Sequence, residues 1–227
     1  MSKYRPKRKW GQNFLIDNNI IKKIGKAIQP QPEDIILEIG GGKGALSEYL
    51  LQSEAEVHTV EIDDHLAQIL DNKFSDRDNF HLHNQDILEF DFSSVFNGEQ
   101  KIRAVGNIPY NITSPLLAKI FQNADKIIDV FLLVQKELAE RICSGPGNKT
   151  YGILSIITRL FGEPEKLFDV SRNVFRPRPK ITSSLFKIEI DNRYEMNEKD
   201  IEKVRKVVKA GFNKRRKTLR NSLKKLL

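Results

Sequence analysis

The stretch DIILEIGGGKGALSEYLLQ, Asp34 to Gln52, decides the fold of this 227-residue chain. Asp34–Ile39 is an apolar run of strand length. It ends in Gly40, Gly41, Gly42, Lys43 and Gly44, and Ala45–Gln52 then reads as a helix. Glycines between a strand and a helix let the backbone approach a ligand closely, and the helix start offers unpaired N–H groups. A second strand is expected at Glu56–Ile62. Glu61, near its end, stands where a carboxylate can accept hydrogen bonds from both ribose hydroxyls of a nucleoside. Gly40, Gly42 and Ala45 also satisfy the G-x-G-x-x-A spacing, so the turn suits a nicotinamide dinucleotide and S-adenosylmethionine (SAM) equally. Asp86, in NQDIL after a third strand at Phe80–Asn84, favours SAM, because an acceptor there suits the adenine N6 amine. The plainer reading of Asp86 is a helix cap or loop solvation.

Outward from this unit, strands and helices alternate. A helix is expected at Asn18–Ala27, with Ile20, Ile21 and Ile24 at helical spacing, and another at His65–Phe74. A fourth strand follows at Lys101–Gly106, a helix at Ser114–Asn123, and a nearly continuous apolar strand at Asp129–Gln135. Such alternation implies a parallel sheet covered on both faces. Helices at Lys136–Cys143 and Tyr151–Phe161 and strands at Leu167–Val170 and Ser183–Ile190 complete the body. Asp191–Asn197 is a polar joint, and from Glu198 the chain is helical and basic. The expected division is a catalytic domain at 1–190, opening with a basic arm at 1–10, and a small helical domain at 191–227.

The charge distribution sharpens that division. The net charge is +8, yet residues 1–10 hold five basic side chains and 203–227 hold eleven, neither with an acid. The middle is therefore mildly acidic, and basic ends on such a body suggest a polyanionic partner. No apolar run approaches a membrane span and no secretory signal is evident, so a cytoplasmic protein is expected. Cys143 is the only cysteine. His81 and His83 read as ordinary strand residues without a ligand set at metal spacing, so no metal is expected.

Asn107-Ile108-Pro109-Tyr110 follows the fourth strand, at the sheet edge where ligands bind. An adenine exocyclic amine is a poor nucleophile, because its lone pair is delocalised into the ring. The Asn107 side-chain oxygen and the Ile108 carbonyl can hold its two N–H bonds and direct the lone pair toward a methyl donor. Pro109 fixes the backbone and supplies no competing donor. Tyr110 offers a stacking face to a flipped base, and Phe175 can close the other face. Catalysis is then mainly positioning, with no dedicated general base. In Phe175–Lys180 (FRPRPK), Arg176, Arg178 and Lys180 can meet phosphates. Lys7, Arg8 and Lys9 in the arm, and Lys214, Arg215, Arg216, Lys217 and Arg220 near the end, extend the RNA-binding set.

Eight motifs together resemble the KsgA family of rRNA adenine N6,N6-dimethyltransferases. They are GQNFL at Gly11–Leu15, EIGGGKGALS at Glu38–Ser47, VEID at Val60–Asp63, QDIL at Gln85–Leu88, NIPYNITS at Asn107–Ser114, QKELAERI at Gln135–Ile142, FRPRPKITSS at Phe175–Ser184 and FNKRRKTLRNSL at Phe212–Leu223. The resemblance implies a class I methyltransferase fold: an α/β protein with a seven-stranded, mostly parallel sheet, its last strand antiparallel, plus a helical C-terminal domain. It implies SAM as donor, S-adenosylhomocysteine as product, and two adjacent adenosines in the 3′-terminal hairpin loop of small-subunit 16S rRNA as target. It places Gln12, Asn13 and Leu15 at the cofactor entrance, Gly40 at the methionine part, Glu61 at the ribose, Asp86 at the adenine and Asn107 at both cofactor and target amine. A monomer acting on the nearly assembled small subunit is expected. The family usually has proline where Gly41 stands and continues through further helices, so either a minimal C-terminal domain or a truncated chain is expected. The Erm type, acting on 23S rRNA, and a non-catalytic assembly factor on the same fold are the alternatives. A dehydrogenase is disfavoured, because no catalytic set for hydride transfer is visible.

Overall fold

The computed structural model describes residues 6–7, 11–109, 111–191, 194, 198–212 and 218–224. Among the site residues expected above, Arg8, Lys9, Tyr110, Lys214, Arg215, Arg216 and Lys217 lie outside them. The strands are β1 (Phe14–Leu15), β2 (Ile35–Ile39), β3 (Glu56–Val60), β4 (Phe80–His83), β5 (Ile102–Asn107), β6 (Ile127–Gln135), β7 (Gly162–Val170), β8 (Phe175–Arg176) and β9 (Ser183–Ile190). The helices are α1 (Asn18–Ile28), α2 (Ala45–Leu50), α3 (Asp64–Phe74), α4 (Thr113–Gln122), α5 (Lys136–Cys143), α6 (Ile153–Arg159), α7 (Glu198–Phe212) and α8 (Leu219–Leu223).

Seven strands form one sheet in the order β4-β3-β2-β5-β6-β9-β7. All neighbours are parallel except that β9 runs antiparallel to both β6 and β7. Every residue of β2 is buried. Strand alternation sends Ile35, Leu37 and Ile39 to one face, where they join Ala104, Ile120 and Phe92. Ile36 goes to the other, among Ile24, Leu50, Leu70 and Phe131. Each such side chain contributes about 1.5–3 kcal/mol on burial.

β7 begins at Gly162, five residues earlier than the apolar pattern suggests. It is the edge strand, so Pro164 is tolerated there, and Glu163 and Glu165 are carried on exposed positions. α7 lies against α6, and its Ile201 and Val204 pack on the core beneath the sheet. The helical face read from Ile201, Val204 and Val208 is the less exposed one.

Two elements escaped the sequence pattern. β1, inside GQNFL, pairs antiparallel with β8, inside FRPRP, with Phe14 opposite Arg176 and Leu15 opposite Phe175. The Ile16 N–H extends the pairing to the Val174 carbonyl at 2.9 Å. This small ribbon holds the N-terminal segment over the carboxyl edge of the large sheet.

Candidate active site

A cavity of about 270 Å³ opens at that edge. Its wall brings together residues from six of the eight motifs. Gln12, Asn13 and Phe14 come from the segment before and within β1, Gly40 and Gly42 from the turn after β2, and Glu61 and Ile62 from just beyond the end of β3. Gln85, Asp86 and Ile87 follow β4, Asn107 ends β5 with Ile108 and Pro109 just after it, and Phe175 opens β8. Glycine is required at Gly40 and Gly42, whose φ angles are 78° and 58°.

Glu61 organises the turn. One carboxylate oxygen accepts the Gly42 N–H at 2.9 Å and the other accepts the Asp63 N–H at 3.0 Å. The side chain is buried, and burial pushes its pKa above the ordinary carboxylate value despite these bonds. Each oxygen retains a lone pair for a further donor from the cavity. Asp86 is a turn cap, since its Oδ1 accepts the Leu88 N–H at 2.8 Å. It is also on the cavity wall.

Asn107 has a fixed orientation. Its Nδ2 donates to the Asn13 carbonyl at 2.9 Å. Asn13 is itself held by its Nδ2 donating to the Gly11 carbonyl at 2.8 Å. A carbonyl partner admits only the amide nitrogen, so Asn107 Oδ1 is the atom turned away from this contact. The Ile108 N–H donates to Leu133 O, which anchors the backbone that carries the neighbouring carbonyl.

Three expected residues sit differently. Leu15 is absent from the main wall: in a strand, neighbours alternate, and Leu15 instead borders a smaller cavity of about 60 Å³ behind the glycine turn. Phe14 takes the place facing the main cavity. Lys7, read as a phosphate contact, has its ammonium 3.0 Å from the buried carboxylate of Asp63. Gln12 donates to the same carboxylate at 3.2 Å and accepts the Lys7 N–H at 2.7 Å. The arm is thereby latched to the cavity rim. Phe175 is only 1% exposed and packs with Leu185 and Val170, reaching the cavity along one side. Arg176, Arg178 and Lys180 are exposed, as is Arg220, and Arg176 also caps its own loop by donating to the Asn173 and Phe175 carbonyls.

Sequence reasoning missed the apolar part of the wall. Ile62 is 39% exposed directly after the Glu61 carboxylate, an unusual place for a large aliphatic residue. With Ile87 and Leu66 it gives the carboxylates an apolar setting suited to a flat base.

This strand order, with its single reversed strand and a nucleoside-sized cavity at the carboxyl edge, defines a class I methyltransferase. The family model described as ribosomal RNA adenine dimethylase matches residues 3–227. The chain belongs to that family. A relative from Pseudomonas savastanoi pv. phaseolicola, named ribosomal RNA small subunit methyltransferase A, is 44% identical over 224 residues, covering 99% of this chain and 84% of the relative. The crystal structure of a dimethyladenosine transferase from Plasmodium falciparum superposes with a TM-score of 0.82 at 28% identity, over 93% of this chain and 74% of that one. The 23S rRNA methyltransferase ErmE gives 0.76 at 26%, over 93% and 84%.

Proposed function

We propose that this chain transfers methyl groups from SAM to the N6 amines of two adjacent adenosines in the 3′-terminal hairpin loop of small-subunit 16S rRNA during ribosome assembly. Family membership and a relative named for the small subunit at 44% identity support this over the Erm reading. The observation that carries the chemistry is the Asn13–Asn107 hydrogen bond, which presents Asn107 Oδ1 as an acceptor of fixed direction.

The cavity fits SAM by its donor and acceptor set. The Glu61 carboxylate takes the ribose hydroxyls, Asp86 accepts from the adenine amine, and Gly40 and Gly42 leave room for the methionine part. SAM supplies an electrophilic methyl on sulfur. Asn107 Oδ1 and the Ile108 carbonyl each accept one N–H of the target amine and aim its lone pair along the methyl–sulfur axis. Holding the reacting atoms in line is the main rate effect, and misplacement by about 1 Å costs on the order of 100-fold. Tyr110 and the cavity-facing side of Phe175 stack the flipped base. Arg8, Lys9, Arg176, Arg178, Lys180, Lys214, Arg215, Arg216, Lys217 and Arg220 meet RNA phosphates. Residues 191–227 form the RNA-docking domain, and the protein works as a cytoplasmic monomer. Among the described residues no helix is long and apolar enough to cross a membrane.

Methyl-labelled SAM incubated with the protein and, separately, with unmethylated small subunits, large subunits and naked rRNA tests the proposal. Label is expected on small-subunit RNA. Label confined to large-subunit RNA would establish the Erm reading, and SAM binding without any transfer would favour an assembly factor.

A further inference from the structure

Three of the four histidines converge where their sequence positions gave no sign of it. β3 and β4 pair in parallel with His58 opposite His81 and Val60 opposite His83. The two-residue period of a strand then puts Glu56, His58, His81 and His83 on one face. His58 Nε2 lies 2.9 Å from Glu56 Oε1, and His81 Nε2 lies 3.5 Å from the same oxygen. On its other side, His58 Nδ1 is 3.0 Å from His83 Nε2. The rings stack, with centroids 4.6 Å apart for His58–His81 and 5.3 Å for His58–His83.

We propose that Glu56, His58 and His81 bind one divalent first-row transition metal of the zinc class, with His83 orienting His58 from behind. Two imidazoles and a carboxylate suit zinc, nickel or copper rather than magnesium or calcium, which prefer all-oxygen sets. The three donor atoms lie within 4.8 Å of one another. Donors around a tetrahedral zinc, with bonds of about 2.0–2.1 Å, stand roughly 3.4 Å apart, so closure needs a movement on the order of 1 Å. Both outer groups can make it: β4 is the sheet edge, and the side chains of His81 and Glu56 are 41% and 48% exposed. Water completes the shell from the solvent side.

The His58–His83 contact supplies the orientation that metal-binding histidines need. In the metal-free state His58 Nε2–H donates to Glu56, and His58 Nδ1 accepts from His83 Nε2–H. Binding releases the His58 Nε2 proton to solvent, the His83 Nε2 proton passes to His58 Nδ1 across their 3.0 Å contact, and His83 regains one from solvent on Nδ1, so no net proton is lost. Both rings stay neutral throughout. His83 also packs edge-on against Phe90, in the loop after Asp86. A bound ion would therefore clamp the edge strand that leads into the cavity wall.

The test uses the untagged full chain, stripped with a chelator and titrated with zinc chloride against a chromophoric zinc indicator. One equivalent is expected to bind saturably. His81→Ala and Glu56→Gln should each weaken it by about 10–100-fold, the range seen when metal-site partners are removed. His65→Ala, off the cluster on α3, should leave it unchanged. X-ray absorption of the zinc-loaded chain should show two imidazole nitrogens among light-atom ligands. Absence of saturable binding, or affinity undiminished in both His81→Ala and Glu56→Gln, would overturn the proposal. His81→Ala alters a half-exposed side chain, and circular dichroism on that variant separates loss of the site from loss of the fold.

Discussion

Glu61 answers acid in two opposite ways. Its pKa is raised by burial, as is that of Glu38, which accepts hydrogen bonds from Ser47 and Thr59 beneath the glycine turn. An acid raised in the folded state contributes stability that is full below its unfolded value, here 4.5, and lost as pH rises through the folded value. Acidifying from neutrality should therefore raise the thermal midpoint of the free protein. The gain should end below about pH 4, where the stabilising contribution of carboxylates held below their ordinary value, such as Asp169 beside Lys136 and Ser184, begins to fade. On the proposed reading, in which ionised Glu61 accepts both ribose hydroxyls, cofactor affinity should run the other way. Glu61→Gln should weaken SAM binding by about 10–100-fold, the scale of lost charged hydrogen bonds, and flatten its pH dependence. Calorimetric titration across pH checks this, and wild-type affinity with a wild-type pH profile in the variant would contradict it. Gly41 is a second test at this scale. A Cβ there would meet Thr59 Cγ2 at 2.4 Å and Leu70 Cδ1 at 2.9 Å. Gly41→Ala should cost about 1–3 kcal/mol of overpacking. Adding Thr59→Ser, which keeps the hydroxyl and removes the methyl, should recover part of it in denaturant unfolding. The placement of Glu61, Asp86 and Asn107 on the cavity wall was legible in the sequence because each is a polar residue at or just beyond the carboxyl end of a strand. Lys7 was not, because its partner Asp63 is 56 positions away and charge alone points to RNA.

Elements divide the same way. The long strands carry enough apolar residues to declare themselves, and β2 through β6 lie close to where the pattern places them. β1 and β8 hold two residues each, too few for any period, so the ribbon that closes the cavity was invisible before the fold was known. The histidine cluster was hidden for a related reason: cross-strand register, not spacing, creates it. Arg103 on β5 shows how such long-range contacts hold the elements together. Its guanidinium donates to Asp129 on β6, to Asp34 before β2, and to the Ile28 and Gln29 carbonyls at the end of α1. Arg103→Met leaves two largely buried carboxylates without their cation. A loss of roughly 3–5 kcal/mol is expected in urea unfolding, and a change within error would show the network to be incidental.

At the scale of the whole molecule, the opposed charges of body and ends gain a physical meaning. The carboxylates of Glu38, Glu61 and Asp63 are buried, while Arg176, Arg178 and Lys180 in the body and Arg220 near the end face solvent. Replacing Lys214, Arg215, Arg216 and Lys217 with glutamine should leave SAM affinity intact. It should reduce the slope of log affinity against log salt by about 0.7–0.9 per lost phosphate contact in filter binding. The central claim is that Asn107, set by Asn13, directs an adenine amine of small-subunit rRNA toward a methyl group. It is tested most directly by nucleoside mass spectrometry of unmethylated small subunits incubated with SAM and either wild-type protein or Asn107→Ala. The expected result is N6,N6-dimethyladenosine with the wild type and none with the variant, although both bind the subunit. Undiminished dimethyladenosine with Asn107→Ala would contradict it.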